Sequence, residues 1–402
     1  MSALSADALV IGAGPSGSAA ARVLATRDAR VLLIDRHDFP RDKVCGDALI
    51  PDALHALADL GVRDEVLAAS RRLDRLRIYA PDDSFLTLEG ACACIPRVAL
   101  DDLLRRAAMN AGAQFQPHLR AVTPLAQNGI VCGAEFEHAR TSARVTIAAP
   151  VTILATGASS DVLRRFGVCL RTTPSATAAR MYVRVEPEYS AAFDHLCIAY
   201  SSSICPGYGW IFPGPDDVFN VGAGYFYDTT LPQETNLRTL LSTFLREFPP
   251  GVALMKRGTV LGPLKGAPLR TAMEGGVFSR PGLYVAGEGA GLTYSFSGEG
   301  IGKALQSGII AARIALRHGQ SAEELRAAAE EYAETLVGEF GARFRAYQRL
   351  QRWLAYPVFA NFLARRANRG TFVRAQLQSL FDDTGDPNQL LSVSGLVRAV
   401  LT

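Results

Sequence analysis

The hexapeptide Gly12-Ala13-Gly14-Pro15-Ser16-Gly17 constrains this chain more than any other feature of its sequence. It stands between the apolar run Ala8–Ile11 and an alanine-rich segment from 18 to about 26. Glycine at the first position permits a tight turn, at the second lets a pyrophosphate approach the backbone, and at the third lets a helix pack closely on a strand. A helix starting here offers free N–H groups and the positive end of its dipole to a phosphate. The run alone is weak, but a second apolar run, Val31–Ile34, completes a strand-turn-helix-strand unit. Asp35 ends that run, twenty-three positions after Gly12, where a carboxylate accepts hydrogen bonds from both ribose hydroxyls. Pro15, Ser16 and Arg36 fall within the same predicted dinucleotide site. A glycine-rich turn with a purely structural task is the competing reading.

A distant second glycine segment turns the dinucleotide towards FAD. The strand-like run ending at Val285 leads into Gly287-Glu288-Gly-Ala-Gly291, followed by Ser297-Gly298-Glu299-Gly300-Ile301-Gly302. A carboxylate after a strand-ending glycine suits a ribityl hydroxyl, which assigns Glu288. Gly298, Gly300 and Ile301, opening a helix, would present N–H groups to the flavin O2 region, where reduction places negative charge. A third apolar run, Val151–Leu154, ends at Gly157 and joins the same predicted site.

Between these segments the pattern changes to short alternating strands with Gly and Pro punctuation, from about 171 to 257, and from Ser321 onward it is helical. The expected fold is α/β: a discontinuous Rossmann-like FAD-binding domain, an inserted β-rich substrate domain and a C-terminal helical segment. The predicted boundaries are 1–75, 95–165 and 261–320 for the FAD-binding parts, 76–94 and 166–260 for the substrate part, and 321–402 for the helices.

Four segments carry a resemblance: the glycine fingerprint; Phe39-Pro-Arg-Asp-Lys43-Val-Cys45-Gly46-Asp47-Ala-Leu-Ile-Pro51; Tyr208-Gly-Trp210-Ile-Phe212-Pro213 with Asn220-Val-Gly222; and 287–302. Together they resemble the geranylgeranyl reductase family, which includes menaquinone reductases, within the flavoprotein group typified by p-hydroxybenzoate hydroxylase. The Tyr-x-Trp-x-Phe-Pro run marks the reductases and differs from the Trp-x-Trp-x-Ile-Pro run of flavin-dependent halogenases. Val44 stands where the family usually has Pro, and Glu288 where it has Asp. The resemblance implies an FAD-dependent reductase of carbon–carbon double bonds in an isoprenoid, prenyl-lipid or quinone substrate. NAD(P)H or a protein donor would supply the electrons. Tyr208, Trp210 and Phe212 would line an apolar substrate pocket, with Tyr208 and Cys45 as candidate catalytic groups. Cys45 and Gly46 would stand at the flavin edge, and Arg97 at the FAD pyrophosphate or ribityl chain.

Rival readings share much of this. A hydroxylase of the same fold differs only through the 208–213 run, and an accessory protein holding FAD without turnover would lack substrate-dependent NAD(P)H consumption. A halogenase needs an active-site lysine; among Lys43, Lys256, Lys265 and Lys303, only Lys43 falls in the N-terminal flavin region. The small net charge of +3 gives no reason to expect nucleic acid. Seven cysteines without repeated spacing read as reduced thiols, Cys92-x-Cys94 lacks a partner set for a metal, and the first apolar run reads as a strand, so a cytoplasmic location is expected. A stripe of Phe340, Phe344, Tyr347, Leu350 and Leu354 among arginines is core or lid, with peripheral membrane contact as the sharper alternative.

Overall fold

The computed structural model describes residues 4–227 and 236–401. Residues 1–3, 228–235 and 402, which belong to the first, fourth and last predicted segments, lie outside the described residues. The fold is α/β and interleaves distant parts of the chain in one six-stranded sheet. Ala8–Ile11 pairs in parallel with Val31–Ile34 on one side and Val151–Leu154 on the other. Gln114–Gln116 extends the first side and Leu283–Val285 the second, with Ser279–Arg280 as an antiparallel edge. Every residue of the three central strands is buried. Sandwiching a parallel sheet between covering layers demands such unbroken apolar runs.

Helix Pro15–Ala25 starts with Pro in its first turn, where a missing N–H costs nothing. Its small residues Ala19, Ala20 and Ala21 are buried and let it pack against helices Arg97–Asn110 and Ile301–Arg317. The approach to the latter is backbone to backbone: a Cβ added at Gly308 would lie 2.1 Å from the Ser16 carbonyl oxygen. This contact joins the two glycine segments of the sequence.

The β-rich part is one eight-stranded sheet in the order 259–269, 176–184, 218–226, 208–213, 196–199, 71–79, 85–94, 48–49. Two predicted boundaries cut through its strands: 75 falls inside Arg71–Tyr79 and 260 inside Thr259–Leu269. The second strand escaped because Gly262, Pro263 and Pro268 interrupt its pattern, which an edge position tolerates. A separate four-stranded sheet is formed by Leu4–Ser5, which falls in the predicted segment 1–75, and by Leu119–Gln127, Ile130–His138 and Arg144–Ala148, which were absorbed into the predicted α/β segment 95–165. Its signal was Asn128-Gly129, both at positive φ in a two-residue hairpin turn.

After Ser321, whose side chain and Glu324 form a capping box, the chain is helical to 401. The aromatic stripe points inward. Tyr347 packs edge-on against Tyr294, with ring centroids 4.5 Å apart, and Phe340, Phe344 and Leu350 are buried with it. These residues are core, so they offer no membrane-facing stripe.

Candidate active site

One cleft of about 480 Å³ runs from the glycine fingerprint to the eight-stranded sheet. At its nucleotide end Gly12 adopts φ +106°, and an added Cβ would sit 2.3 Å from the Ala155 carbonyl oxygen. The Asp35 carboxylate accepts from the Ala13 and His37 backbone N–H groups, each at 2.9 Å, and still faces the cleft. Gly14, Pro15, Ser16 and Arg36 line this end as well. Gly17 and Gly287 do not. Gly17 is pressed against Gly12, and a Cβ on Gly287 would meet the Ser16 hydroxyl at 2.8 Å, so both glycines act through packing behind the lining.

Arg97 is buried, with Nε and Nη2 held by Asp101 at 2.7 and 2.9 Å. Burial opposes its charge, but the Asp101 carboxylate and the Cys45 sulfur beside it outweigh that and hold its pKa above the ordinary range. Arg41, to which sequence reasoning gave no role, approaches the same place: its guanidinium is 3.1 Å from Asp101 and comes within 3.6 Å of where a Gly14 Cβ would stand. Two guanidinium groups therefore flank the phosphate-binding turn, as an anionic pyrophosphate requires.

Further along, Glu288 pairs with Lys43 at 3.3 Å through one oxygen, while its Oε1 is buried without a partner. A Cβ on Gly157, at φ +66°, would stand 3.7 Å from the paired oxygen. An unpartnered buried acceptor is costly in isolation and well suited to a ligand hydroxyl. These residues fit FAD: Asp35 would hold the ribose, Arg41, Arg97 and the Gly12–Gly17 turn the pyrophosphate, and Glu288 a ribityl hydroxyl.

The Ser297–Gly302 turn closes the flavin end. Gly298 has φ +70°, and a Cβ there would clash with the Tyr208 hydroxyl at 2.4 Å. That hydroxyl donates to the Ser297 carbonyl, and burial pushes its pKa well above the ordinary tyrosine range. Its proton is thus engaged by the backbone, so Tyr208 fixes this turn. Tyr208, Trp210 and Phe212 occupy alternate positions of the strand Tyr208–Pro213 and share one face, with successive ring centroids 5.8 and 6.3 Å apart. All three line the cleft.

A polar network behind this wall holds the Cys45 loop. Trp210 Nε1 donates to Asn220 Oδ1 at 2.9 Å, and Asn220 Nδ2 donates to the Cys45 carbonyl at 2.8 Å and to Asp47 at 2.7 Å. Tyr182 donates its hydroxyl to the same Asp47 oxygen. Burial pushes the Asp47 carboxyl up to about 6, held back by the Tyr182 and Asn220 hydrogen bonds. Gly46 is thereby laid against the aromatic wall: a Cβ there would be 3.1 Å from the Phe212 ring. Arg41, Asp47 and Asn220 lay inside motifs read from the sequence, yet no role was given to them. Nothing in the sequence singled out Tyr182.

Glu299 was also unassigned. It faces the cleft, and burial, reinforced by the charge of Asp52, pushes its carboxyl up to about 8. Nearby, Lys303 is 2 % exposed and bonded to Asp383 and Gln306, at 2.9 and 3.1 Å. Unfolded, the Glu299 carboxyl titrates near 4.5; folded, it keeps its proton to about 8. The folded chain binds more protons between those values, so the stability tied to Glu299 is complete below about 4.5 and lost as pH rises through about 8. Thermal melts of the apoprotein should show a downward slope across this window, flattened in Glu299→Gln. Parallel curves for the two proteins would refute the assignment.

Residues 5–207, just over half of the chain, match the FAD binding domain family. The chain belongs to that family. A menaquinone reductase of Mycobacterium tuberculosis is 30% identical over 377 residues, covering 88% of this chain and 85% of the relative. A digeranylgeranylglycerophospholipid reductase of Methanosphaerula palustris is 28% identical over 337 residues, covering 81% of this chain and 80% of the relative. Among solved structures, a geranylgeranyl bacteriochlorophyll reductase-like protein of Thermoplasma acidophilum superposes with a TM-score of 0.79 at 21% identity, covering 99% and 96% of the two chains. A flavin-dependent brominase superposes with a TM-score of 0.76 at 18% identity, covering 99% and 98%. The two superpositions establish the fold. The family match and the sequence relatives place this FAD-binding protein in the geranylgeranyl reductase group as an FAD-dependent oxidoreductase.

Proposed function

We propose that the protein reduces carbon–carbon double bonds in a lipophilic prenyl substrate, a quinone or a lipid. The carrying observation is the buried wall of Tyr208, Trp210 and Phe212, set in the same cleft as the FAD cradle and continued by Leu76, Leu196 and Ile198. An apolar chain is the ligand such a surface binds best. Two relatives named as reductases of menaquinone and of a prenylated phospholipid support the reading.

Reduced FAD, when bound, supplies a hydride from N5. The residues of this chain do the rest. The aromatic wall excludes water and aligns the alkene, while Tyr208 fixes the Ser297–Gly302 turn against it. An isolated alkene accepts hydride poorly, so a proton must reach the neighbouring carbon in the same event. Cys45, on the cleft between Arg97 and the wall, is the proposed donor; Glu299, protonated at neutral pH, is its nearby proton reserve. Electrons arrive from NAD(P)H, or a protein donor, visiting transiently.

The test mixes photoreduced enzyme anaerobically with a prenylated quinone or lipid. Rapid flavin reoxidation with a product two hydrogens heavier is expected. If the alkene leaves the flavin reduced while oxygen reoxidises it and the product gains an oxygen atom, the protein is a hydroxylase instead.

A further inference from the structure

The corner between helices Ala342–Leu354 and Pro357–Arg369 is apolar at its tip and basic around it. Tyr356 is 68% exposed and Val358 82%, and with Trp353, Phe359 and Phe362 they line a shallow surface groove. The Trp353 and Phe359 rings meet edge to face at 5.1 Å, so the tip is an organised aromatic surface. From 340 to 381 the chain carries eight arginines and no Asp or Glu. Arg352 precedes Trp353 and is exposed, as are Arg345 and Arg369, and the Arg366 guanidinium lies 5.6 Å from the Phe362 ring centre.

We infer that this corner docks on the surface of an anionic lipid bilayer. Aromatic residues favour the membrane–water boundary, where the ring is buried and the polar edge stays wet. Arginines beside them reach anionic headgroups while their stems cover apolar surface. Arg365 is already paired with Asp82, so the charge complementarity rests on the exposed Arg345, Arg352 and Arg369, with no carboxylate between 340 and 381 in the chain to offset them, which suits a uniformly anionic sheet of headgroups. No helix among the described residues is long and apolar enough to cross a membrane.

The corner is also joined to the cleft. The Cys205 thiol donates to the Ala355 carbonyl, and three residues later the chain enters the strand that begins at Tyr208. On the other side Tyr347, on the helix leading into the corner, packs at a tilt against Phe296, adjacent to Ser297, with ring centroids 4.6 Å apart. The docked surface would therefore lie beside the aromatic wall, where a substrate drawn from the bilayer enters. That last step rests on the proposed function; the docking does not.

The full-length FAD-loaded protein would be cosedimented with vesicles of phosphatidylglycerol and phosphatidylcholine in equal parts, and with phosphatidylcholine alone. Binding should be at least tenfold stronger to the anionic vesicles, weaken with added salt, and fall at least tenfold in Val358→Asp and in the pair Arg352→Gln, Arg369→Gln. The wild-type protein should show a blue-shifted tryptophan emission on the anionic vesicles. Equal binding to both vesicle types, or full binding by both variants, overturns the inference. So does a wild-type dimer that Val358→Asp converts to monomer, which would make the corner a contact between copies. The vesicles hold no substrate, so failure here leaves the reductase reading standing. Failure of the alkene test leaves the docking standing.

Discussion

Gly17→Ala is expected to leave the protein unable to hold FAD. The added Cβ would stand 1.7 Å from the Gly12 carbonyl oxygen and 3.2 Å from Ala155 Cβ. Neither neighbour can give way as a flexible side-chain tip would. Gly12 is tied by its N–H to Ile34 at 2.7 Å, and the Ala155 N–H bonds Ile11 at 2.8 Å. The helix Pro15–Ala25 must instead move out by on the order of 1 Å or more to restore van der Waals contact. Its N-terminal N–H groups then leave the pyrophosphate site. Overpacking of this kind costs about 1–3 kcal/mol of stability, and the misplaced cradle adds its own loss at the ligand. FAD affinity should fall at least ~100-fold, which corresponds to about 2.8 kcal/mol. The apoprotein should melt several degrees lower. Gly338→Ala is the control, since no atom lies within 4 Å of its new Cβ. Flavin-fluorescence titration and thermal melts read both effects; affinity in Gly17→Ala within about threefold of wild type would show that the close approach is dispensable.

The second large effect is expected at Asn220. Truncation to alanine removes at once the acceptor of the Trp210 indole N–H, the donor to the Cys45 carbonyl and one donor to Asp47. Each buried group left unpaired costs about 1–3 kcal/mol, and one buried group retains some charge, so a total of about 3–5 kcal/mol is expected in urea unfolding. Tyr182→Phe takes only one hydrogen bond from Asp47 and should cost about 1 kcal/mol. The functional consequence is separate from the stability loss. With the Cys45 loop released from the aromatic wall, substrate-dependent flavin reoxidation should slow more than FAD binding weakens. If both variants cost the same, or if Asn220→Ala reoxidises at the wild-type rate, the network does not position the loop.

The nucleotide end of the site was legible because each of its elements is local. Ala8–Ile11, the glycine turn, Pro15–Ala25 and Val31–Ile34 follow one another without interruption, and each announces itself by an apolar run or by a glycine with a backbone task. The strand Tyr208–Pro213 was legible for the same reason, through alternation of large rings. The strand Thr259–Leu269 was not, since an edge strand interrupted by Gly262, Pro263 and Pro268 carries little periodic signal, and the four-stranded sheet was passed over although Asn128-Gly129 marked its hairpin. The C-terminal stripe was legible only as core or lid with a membrane contact as the alternative. A basic helix with an apolar face reads alike whether that face meets lipid or Tyr294 and Phe296, and only packing decided for the core.

The sequence by itself determined the dinucleotide fold, the cofactor class and the aromatic strand, because a tight turn, a helix N-terminus and a period of two are properties of neighbouring residues. Tertiary structure alone decided that Asn220 binds Cys45 and Asp47 across 175 and 173 positions, that Lys43 meets Glu288 across 245, and that Glu299 holds its proton near neutrality. Those outcomes depend on which groups are brought together and how far water is excluded from them, and pairing and desolvation over such separations are set by the packed fold.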